Sequence, residues 1–372
     1  MKITDLAFGG NGVGKLPDGR VVFVPYTIPG EEVNISNIID KSNYSIAQLD
    51  SIITSSSYRI KPKCPYYMNC GGCQYMHIEY KKEVEFKEKQ LRDILERIGK
   101  LKNINIEKIL CDKDLYYRNS ITLQKSSKGE LGFYSTDNKE IIPIKECIIA
   151  DKKINEFLQK NREDIFNAKG KKVTIKTDGK NISFLNNNII LNTEISGKIL
   201  SYDYRTFFQV NNNILVKIID VILKEITKAE CLFDIYCGVG TYSICLQDYF
   251  DKVIGIEENT ASIYFANKNK KDNFKINFIE AKVEDVFLDV FKLHKKKNNL
   301  IIINPPRTGI NKGIIELIRN QSDISDIIYI SCNPAVMARD IKQLGYEPKK
   351  FFLFDMFPRT KYFEIAAYGK IH

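Results

Sequence analysis

Short apolar runs alternate with turn-forming residues along the N-terminal part of the chain. Runs at residues 21–24 and 33–35 have the length of β-strands, and turns at 9–12 and 17–19 contain glycine or proline. Frequent short strands with regular turns are typical of a small barrel. The pattern therefore predicts a β-barrel over residues 1–54, a fold that often binds oligonucleotides.

A longer amphipathic pattern follows the barrel. Between residues 81 and 108, apolar side chains recur at helical spacing with charges of both signs opposite them, which predicts one long helix. From 117 to 197, short β-like runs are separated by turn signals such as 128–130 and 186–188. We therefore predict a small mixed α/β central domain over residues 55–200.

The pattern changes again from Cys231 onward. Apolar strands alternate with helix-length segments, which is the signature of a doubly wound parallel sheet. The predicted strands include 232–235, 253–256, 278–281, 300–303 and 327–330. The last part of the chain, residues 201–372, is thus predicted to be an α/β, Rossmann-like domain.

Composition agrees with a multidomain globular protein. The 372 residues are 44% hydrophobic and 27% charged, so the chain is longer than one compact core usually holds and is unlike a disordered protein. The N-terminal residues have no apolar stretch of signal-peptide length, and the longest aliphatic run is far too short to span a bilayer. A cytoplasmic location is expected.

The net charge bears on the partner. The chain has 56 Lys and Arg against 46 Asp and Glu, which gives +10 at neutral pH. A permanent positive charge favours a polyanionic partner such as nucleic acid. An Asn-, Ile- and Lys-rich composition can also reflect an AT-rich genome, so the charge alone leaves both explanations open.

A glycine-rich loop follows the first strand of the predicted sheet. Residues 232–241 read Leu-Phe-Asp-Ile-Tyr-Cys-Gly-Val-Gly-Thr, so the strand leads through Gly238 and Gly240 into a helix. Glycines let the backbone approach a ligand, and a helix N-terminus favours the ligand's carboxylate. The next strand ends in Glu257, where a carboxylate can accept hydrogen bonds from ribose hydroxyls. The loop lacks the G-x-G-x-x-G spacing of dehydrogenases, and its order is typical of class I methyltransferases.

Two later strands of the predicted sheet end in polar motifs. These are Asn304-Pro305-Pro306-Arg307 and Ser331-Cys332-Asn333-Pro334. The carboxyl ends of parallel strands form the ligand-binding edge of an open α/β sheet. A free cysteine is most often a buried small hydrophobe, but Cys332 closes a strand and precedes a polar turn, which favours a nucleophile. Asp285, beyond the third strand, is a candidate for the adenine edge of the cofactor.

These motifs resemble, in the same order, those of the RNA uracil-C5 methyltransferases. Residues 6–12 and 23–31 resemble the TRAM domain, an OB-like barrel attached to RNA-modifying enzymes. The other segments that carry the resemblance are 207–211, 234–241, 304–309, 331–334 and 355–364. The likeness covers essentially the whole chain and looks closest to the 23S ribosomal RNA branch, which commonly carries the barrel and an iron–sulfur cluster. It implies S-adenosylmethionine-dependent methylation of RNA, in particular 23S rRNA, with no obligatory protein partner.

The resemblance also implies roles for individual residues. Uracil C5 is a weak nucleophile, so a thiolate first adds at C6, and the family's cysteine matches Cys332. After methyl transfer a base must remove the C5 proton, and Glu364 matches the family's position for that base. The candidate cofactor-binding residues, from the glycine loop, the strand ends and the family positions together, are Gln209, Asp234, Tyr236, Gly238, Gly240, Glu257, Asp285 and Asn304.

Two positions depart from the family pattern. The family usually has Asp where this chain has Asn304, and His where it has Tyr362. Asn is nearly isosteric with Asp but neutral, so it replaces one hydrogen bond and loses the charge. Asn304-Pro305-Pro306 also resembles the N-P-P-Y loop of amino-group methyltransferases. RNA N-methylation is therefore an alternative function, and a non-catalytic RNA-binding or ribosome-assembly protein is another.

Three cysteines lie close together in the central segment. Cys64, Cys70 and Cys73 have glycines beside them that permit a tight wrap, and C-x-x-C spacing can hold one metal or one corner of a cluster. The resemblance implies Cys147 as the fourth ligand and a 4Fe–4S cluster as the group. Zinc is the alternative, because four thiolates suit both metals. A structural or RNA-positioning role is expected, since methyl transfer involves no electron transfer.

Overall fold

The computed structural model describes residues 1–185, 187, 189–226 and 229–370. Two residues of the predicted turn at 186–188, Asn186 and Asn188, lie outside this description, as do the last two residues of the predicted third domain. No helix in the described part of the chain is both long enough and apolar enough to cross a membrane.

The N-terminal strands form a closed sheet. The five strands are β1 (Asp5–Leu6), β2 (Asn11–Lys15), β3 (Val21–Pro25), β4 (Glu32–Asp40) and β5 (Ser45–Thr54), in the spatial order β1-β2-β3-β5-β4. Lys2 bridges Glu32 of β4, and the Ile3 amide donates to the Glu31 carbonyl at 2.8 Å, so the first residues close the sheet on itself. Val22, Val24 and other apolar side chains fill the interior. The predicted barrel is therefore confirmed.

The predicted helix over 81–108 is wrong in its second half. Helix α1 (Tyr80–Arg97) ends before Gly99, and Lys100 and Asn103 have positive φ angles that a helix does not tolerate. Strand β6 (Ile106–Ile109) follows instead. The apolar spacing continues beyond the helix because Leu101 and Ile104 also pack against the core.

A second sheet and two helices make the central part of the chain. Its elements are β7 (Ser120–Lys125), β8 (Leu131–Tyr134), β9 (Ile141–Pro143), α2 (Lys152–Lys160), α3 (Arg162–Asn167), β10 (Lys172–Thr177) and β11 (Ile182–Phe184). The sheet is antiparallel, in the order β11-β10-β7-β8-β9. Ile154, Leu158 and Ile165 of the helices pack against its strands. The mixed α/β character is as predicted.

The remaining elements build the largest sheet and the structures that cover it. They are β12 (Leu191–Ile195), β13 (Lys198–Tyr202), α4 (Asn212–Glu225), β14 (Cys231–Ile235), α5 (Thr241–Leu246), a short 3-10 helix (Gln247–Tyr249), β15 (Lys252–Glu257), α6 (Thr260–Lys270), β16 (Ile276–Glu280), α7 (Val283–His294), β17 (Asn299–Ile303), α8 (Lys312–Arg319), β18 (Ile324–Ser331), α9 (Pro334–Leu344), β19 (Glu347–Phe354) and β20 (Glu364–Lys370). Strands β12 and β13 form a separate hairpin.

The large sheet has the order β16-β15-β14-β17-β18-β20-β19-β6. Its strands run parallel except β20, which is antiparallel to both neighbours. The chain order reverses at β14, and such a switch point opens a crevice at the carboxyl ends of the strands. The predicted doubly wound sheet is confirmed.

Part of the predicted central segment packs on this large sheet. Strand β6 pairs with β19, and Val84, Leu91 and Leu95 of α1 share one apolar core with Ile301 and Tyr329 of the sheet. The segment 80–109 thus joins the C-terminal body. The domain bounds 1–54, 55–200 and 201–372 remain predictions.

Candidate active site

The glycine loop has the backbone geometry that its sequence predicts. Gly238 and Gly240 have φ angles of 56° and 79°, and a side chain on Gly240 would come within 2.6 Å of the Phe278 ring. The Gly238 amide donates to Glu257 Oε2 at 3.0 Å, and Oε1 of the same carboxylate accepts from the Asn259 amide at 2.8 Å. Glu257 therefore holds the loop against the end of β15.

Asp234 lies fully buried beneath the loop. Its Oδ2 accepts hydrogen bonds from the Ser243 amide at 2.9 Å and from the Ser243 hydroxyl at 2.7 Å, while its Oδ1 has no partner among the described residues. Burial raises the pKa of this carboxyl to about 7. These contacts hold the start of α5 against β14, so Asp234 stabilises the glycine loop that connects the two elements.

Four of the predicted cofactor residues line one narrow cavity at the carboxyl ends of β14 and β17. The cavity is lined by Phe207, Phe208, Gln209, Tyr236, Cys237, Gly238, Val239, Thr241, Tyr242 and Asn304. Tyr236 donates its hydroxyl proton to Glu284 Oε1 at 2.9 Å, which ties the loop to the start of α7. Asp285, the next residue, is exposed and does not line this cavity.

Strand register brings Cys332 and Glu364 together. Strands β18 and β20 are antiparallel, and Ser331 pairs with Ile365, so Cys332 and Glu364 are the next positions outward on the two strands. Burial and the nearby Glu364 carboxyl raise the pKa of the Cys332 thiol, and Arg307 opposes this rise. Burial also raises the pKa of Glu364, to about 8, again against Arg307.

Arg307 lies over the ring of Tyr362, with the guanidinium carbon 5.0 Å from the ring centre. A cation over an aromatic face is attracted by the ring's quadrupole. The Arg307 backbone is also held, because its carbonyl accepts from Asn333 Nδ2 at 3.2 Å. Tyr362, where the family pattern has His, thus supports the cation that faces the thiol and the carboxyl.

Tyr242 is a further residue of the cavity, and no motif in the sequence predicts it. Its buried hydroxyl makes no hydrogen bond of ordinary geometry among the described residues, and it lines the cavity with Asn304 and with Gln209, which is close enough to lower its pKa. Burial and then the Glu364 charge raise the pKa of this hydroxyl. The sequence does not predict that Tyr242 lines the cavity, because an aromatic side chain on the first turn of α5 could equally well pack in the core.

The four predicted metal-binding cysteines line a second cavity. Cys64, Cys70, Cys73 and Cys147 share a space of about 290 Å³ with neighbours that include Tyr66 and Arg118. Burial raises the pKa of each thiol, and that of Cys70 to about 11. Within the described residues, no three His, Cys, Asp or Glu side chains converge on a single metal position.

Comparisons with known proteins agree with this architecture. The chain is 30% identical to an uncharacterized RNA methyltransferase from Aquifex aeolicus, over 99% of this chain and 97% of that protein. It is 31% identical to one from Protochlamydia amoebophila, over 99% and 96%. The solved tRNA (uracil-54, C5)-methyltransferase of Pyrococcus abyssi, in complex with S-adenosyl-L-homocysteine, superposes with a TM-score of 0.78 at 22% identity, over 99% of both chains.

Two regions of the chain match models of known protein families. Residues 1–49 match the TRAM domain, and residues 116–370 match the tRNA (uracil-5-)-methyltransferase family. The predicted class I methyltransferase fold and TRAM barrel are thus confirmed. Because the second match covers more than half of the sequence, the chain belongs to the tRNA (uracil-5-)-methyltransferase family.

Proposed function

We propose that this protein methylates C5 of a uracil in RNA, with S-adenosylmethionine as methyl donor, Cys332 as nucleophile and Glu364 as base. The observation that carries the proposal is the register of β18 and β20, which brings a thiol and a carboxyl to neighbouring strand ends beside Arg307. C5 methylation of uracil requires a nucleophile and a base on one substrate ring.

The reaction has two halves, and each uses one of these residues. The Cys332 thiolate forms a bond to C6, and the C5–C6 π electrons move toward C5 and O4 as an enolate. C5 then takes the methyl group, while the bond between methyl and sulfonium breaks and its electrons leave with S-adenosylhomocysteine. Glu364 takes the C5 proton, the electrons of that bond restore C5=C6, and the thiolate is expelled. One proton is released per methyl transferred.

Arg307 is suited to support the first half of the reaction. The reactive form of the cysteine is the thiolate, and burial raises the pKa of Cys332. A guanidinium is permanently charged, so it opposes this effect both at the thiol and at Glu364. Arg307 thereby lowers the free energy of the two anionic states that the mechanism needs.

The methyl donor has a suitable site in the glycine loop and the cavity beside it. Gly238 leaves open space beside the backbone, Glu257 offers carboxylate oxygens to a ribose, and Gln209, Tyr236 and Asn304 line the cavity. Asp234 holds the loop through Ser243, and Asp285, in the first turn of α7, is proposed for the adenine edge. The similarly folded Pyrococcus abyssi enzyme was solved with S-adenosyl-L-homocysteine bound, which supports this choice.

For the RNA, we propose 23S rRNA. The motifs resemble the 23S branch, and the +10 charge and TRAM domain suit a long polyanion. The Pyrococcus abyssi enzyme of the same architecture acts on tRNA, so tRNA is the substrate to compare.

Nucleoside analysis tests the function directly. Unmodified 23S rRNA and tRNA transcripts would be incubated with the protein and isotope-labelled S-adenosylmethionine, digested, and examined by mass spectrometry. We expect labelled 5-methyluridine from 23S rRNA. Label in 5-methyluridine from tRNA alone would overturn the choice of RNA, label on an exocyclic nitrogen would favour an amino-group methyltransferase, and no label in either RNA would refute the proposed reaction.

We further propose that Cys64, Cys70, Cys73 and Cys147 hold a 4Fe–4S cluster, with zinc as the alternative. A tetrahedral zinc site needs four sulfurs about 2.3 Å from one point, whereas a cubane is held at its corners by thiolates spaced further apart. The four thiols line one cavity, which supports a group held by all four, and the family resemblance favours the cluster. The cluster would tie the loop that carries three of the cysteines to the segment before α2.

Metal analysis tests this assignment. Protein purified without oxygen should contain about four iron and four sulfide per chain. Cys73→Ser should lose most of the iron, because a serine hydroxyl is a poor ligand for it. Cys332→Ser, which alters a cysteine outside the cavity, is the matched control and should keep the iron. One zinc per chain in place of iron would favour the alternative.

A further inference from the structure

Gln74, the residue after Cys73, joins two separate loops. Its side-chain Nε2 donates to the Gly71 carbonyl at 2.8 Å, within the cysteine loop 64–73. Its Oε1 accepts from the Lys361 amide at 3.0 Å, and its own amide donates to the Arg359 carbonyl at 3.1 Å. One side chain therefore connects the cysteine loop with residues 355–363, the β19–β20 loop, which leads directly to Glu364.

The β19–β20 loop is held in an unusual conformation. Arg359 has a φ angle of 69°, in the left-handed region that is unfavourable for residues with a side chain. Such a conformation persists only where its surroundings enforce it. Here α1 contributes, because the fully buried Lys87 ammonium donates to Asp355 Oδ1 and Glu83 Oε1, both at 2.7 Å. Glu83 Oε1 also accepts from the Arg359 amide at 2.7 Å.

The N-terminal barrel reaches the same junction. A side chain on Gly10 would come within 2.9 Å of Gln74 Cβ, so this close approach requires a glycine. The ring of Phe8 lies edge-to-face with Phe363, with 6.0 Å between the ring centres. Phe363 directly precedes Glu364. The barrel, the cysteine loop and the β19–β20 loop thus meet at Gln74 and at the residue before the proposed base.

The Glu364 carboxyl depends on this backbone for its direction. Among the described residues, none donates a hydrogen bond to it, and the nearby cation, Arg307, is on an exposed side chain. A side chain without hydrogen-bond partners is aimed by its backbone and its packing. A shift in residues 361–363 would therefore move the carboxyl relative to Cys332.

We propose that Gln74 is a positioning residue for proton removal, which orders the β19–β20 loop so that Glu364 points at C5 of the uracil. The inference rests on the proposed function. Gln74 does not line the cofactor cavity, so its effect should fall on the second half of the reaction and leave binding of the methyl donor unchanged.

Substitutions at Gln74 distinguish the effect of the Lys361 contact from that of the Gly71 contact. Gln74→Met keeps the length of the side chain but offers no oxygen or nitrogen. Gln74→Glu keeps an acceptor for the Lys361 amide, replaces the donor to the Gly71 carbonyl with an oxygen, and adds a negative charge. Gln321→Met is the matched control away from the junction, because the wild-type Gln321 side chain donates to the Leu317 carbonyl in α8.

The readout is the covalent protein–RNA adduct, measured on denaturing gels with ordinary, non-fluorinated RNA in which the enzyme forms 5-methyluridine. When proton removal is slow, the thiolate cannot leave and the adduct accumulates. Gln74→Met loses the hydrogen bonds to both Gly71 and Lys361. We assign the effect on proton removal to the Lys361 contact and expect release of methylated RNA to slow about five- to tenfold, with a matching rise in adduct. Gln74→Glu should recover most of the rate, and the Kd for S-adenosylmethionine should not change.

Several outcomes would overturn the inference. The inference is wrong if Gln74→Met accumulates no more adduct than wild type. It is also wrong if Gln74→Met and Gln74→Glu slow the release of methylated RNA equally, because this result would indicate a merely structural role. If Gln74→Met does not fold, Gln74→Asn, which is polar but too short for Lys361, takes its place. Glu364→Gln is the reference variant. If adduct accumulates in Glu364→Gln but not in Gln74→Met, only the role of Gln74 is refuted. If no adduct accumulates in Glu364→Gln, the proposed function itself is refuted.

Discussion

Cys332→Ala should abolish methylation of RNA. The nucleophile would be missing, C6 would not be attacked, and C5 would remain too weak to take the methyl group. Loss of an enzyme's nucleophile lowers the rate by roughly 10⁴- to 10⁶-fold. The measurement is transfer of labelled methyl to RNA in single-turnover conditions, where binding and product release do not mask the chemical step.

Two controls make this result specific. Cys231→Ala replaces another cysteine, at the opposite end of β14 from the glycine loop, and should leave the chemical rate within about twofold of wild type. RNA containing 5-fluorouridine should trap wild-type protein covalently, because fluorine at C5 cannot be removed as a proton, and should not trap Cys332→Ala. Methylation by Cys332→Ala near the wild-type rate would exclude the nucleophilic mechanism and favour an amino-group methyltransferase.

Glu364→Gln should halt the reaction one step later. The cysteine can still attack and the methyl group can still be transferred, but no carboxylate takes the C5 proton. Positioned general bases contribute roughly 10²- to 10⁴-fold to rate. We expect a loss of turnover in this range and accumulation of an adduct that already carries the labelled methyl group, which denaturing gels of protein with ordinary RNA will detect.

Thermal unfolding distinguishes this chemical effect from damage to the fold. The pKa of Glu364 rises from an ordinary 4.5 to about 8 on burial, so the unfolded chain loses this proton first as pH increases. The free energy of unfolding therefore falls as the pH rises between those two values. A glutamine is neutral at every pH, so it does not cause this fall. Glu364→Gln should be at least as stable as wild type at neutral pH. A marked drop in its melting temperature would mean that the carboxyl has a structural role.

Local patterns predicted most of the fold. Alternating apolar runs with turns specified the barrel, and buried runs at residues 253–256, 300–303 and 327–330 specified strands of the large sheet. The error at 81–108 has a physical cause, since β6 exists only because β19, far along the chain, offers it a parallel partner. A short apolar segment cannot reveal by itself that it will complete the edge of a distant sheet.

Motifs in the sequence predicted residues that the structure brings together at the candidate site, but they do not reveal residues that act through contacts with distant parts of the chain. Cys332 and Glu364 were found from the family's pattern, and their closeness required only the register of two strands. Gln74 has no such signal, because its partner Lys361 lies 287 residues away. Asp285 was predicted from its spacing; it is exposed and does not line the cavity, and its role at the cofactor stays a prediction.

The insertion of β20 between β18 and β19 has a consequence for biosynthesis. A ribosome makes β18 and β19 first, so each waits with an open hydrogen-bonding edge until residues 364–370 emerge and enter the gap. Unpaired edges expose a nascent chain to association with other chains. The same late event brings the carboxyl of Glu364 beside the thiol of Cys332. On the proposed mechanism, the chain cannot complete methylation of RNA until this strand has docked, even though its glycine loop and barrel are already made.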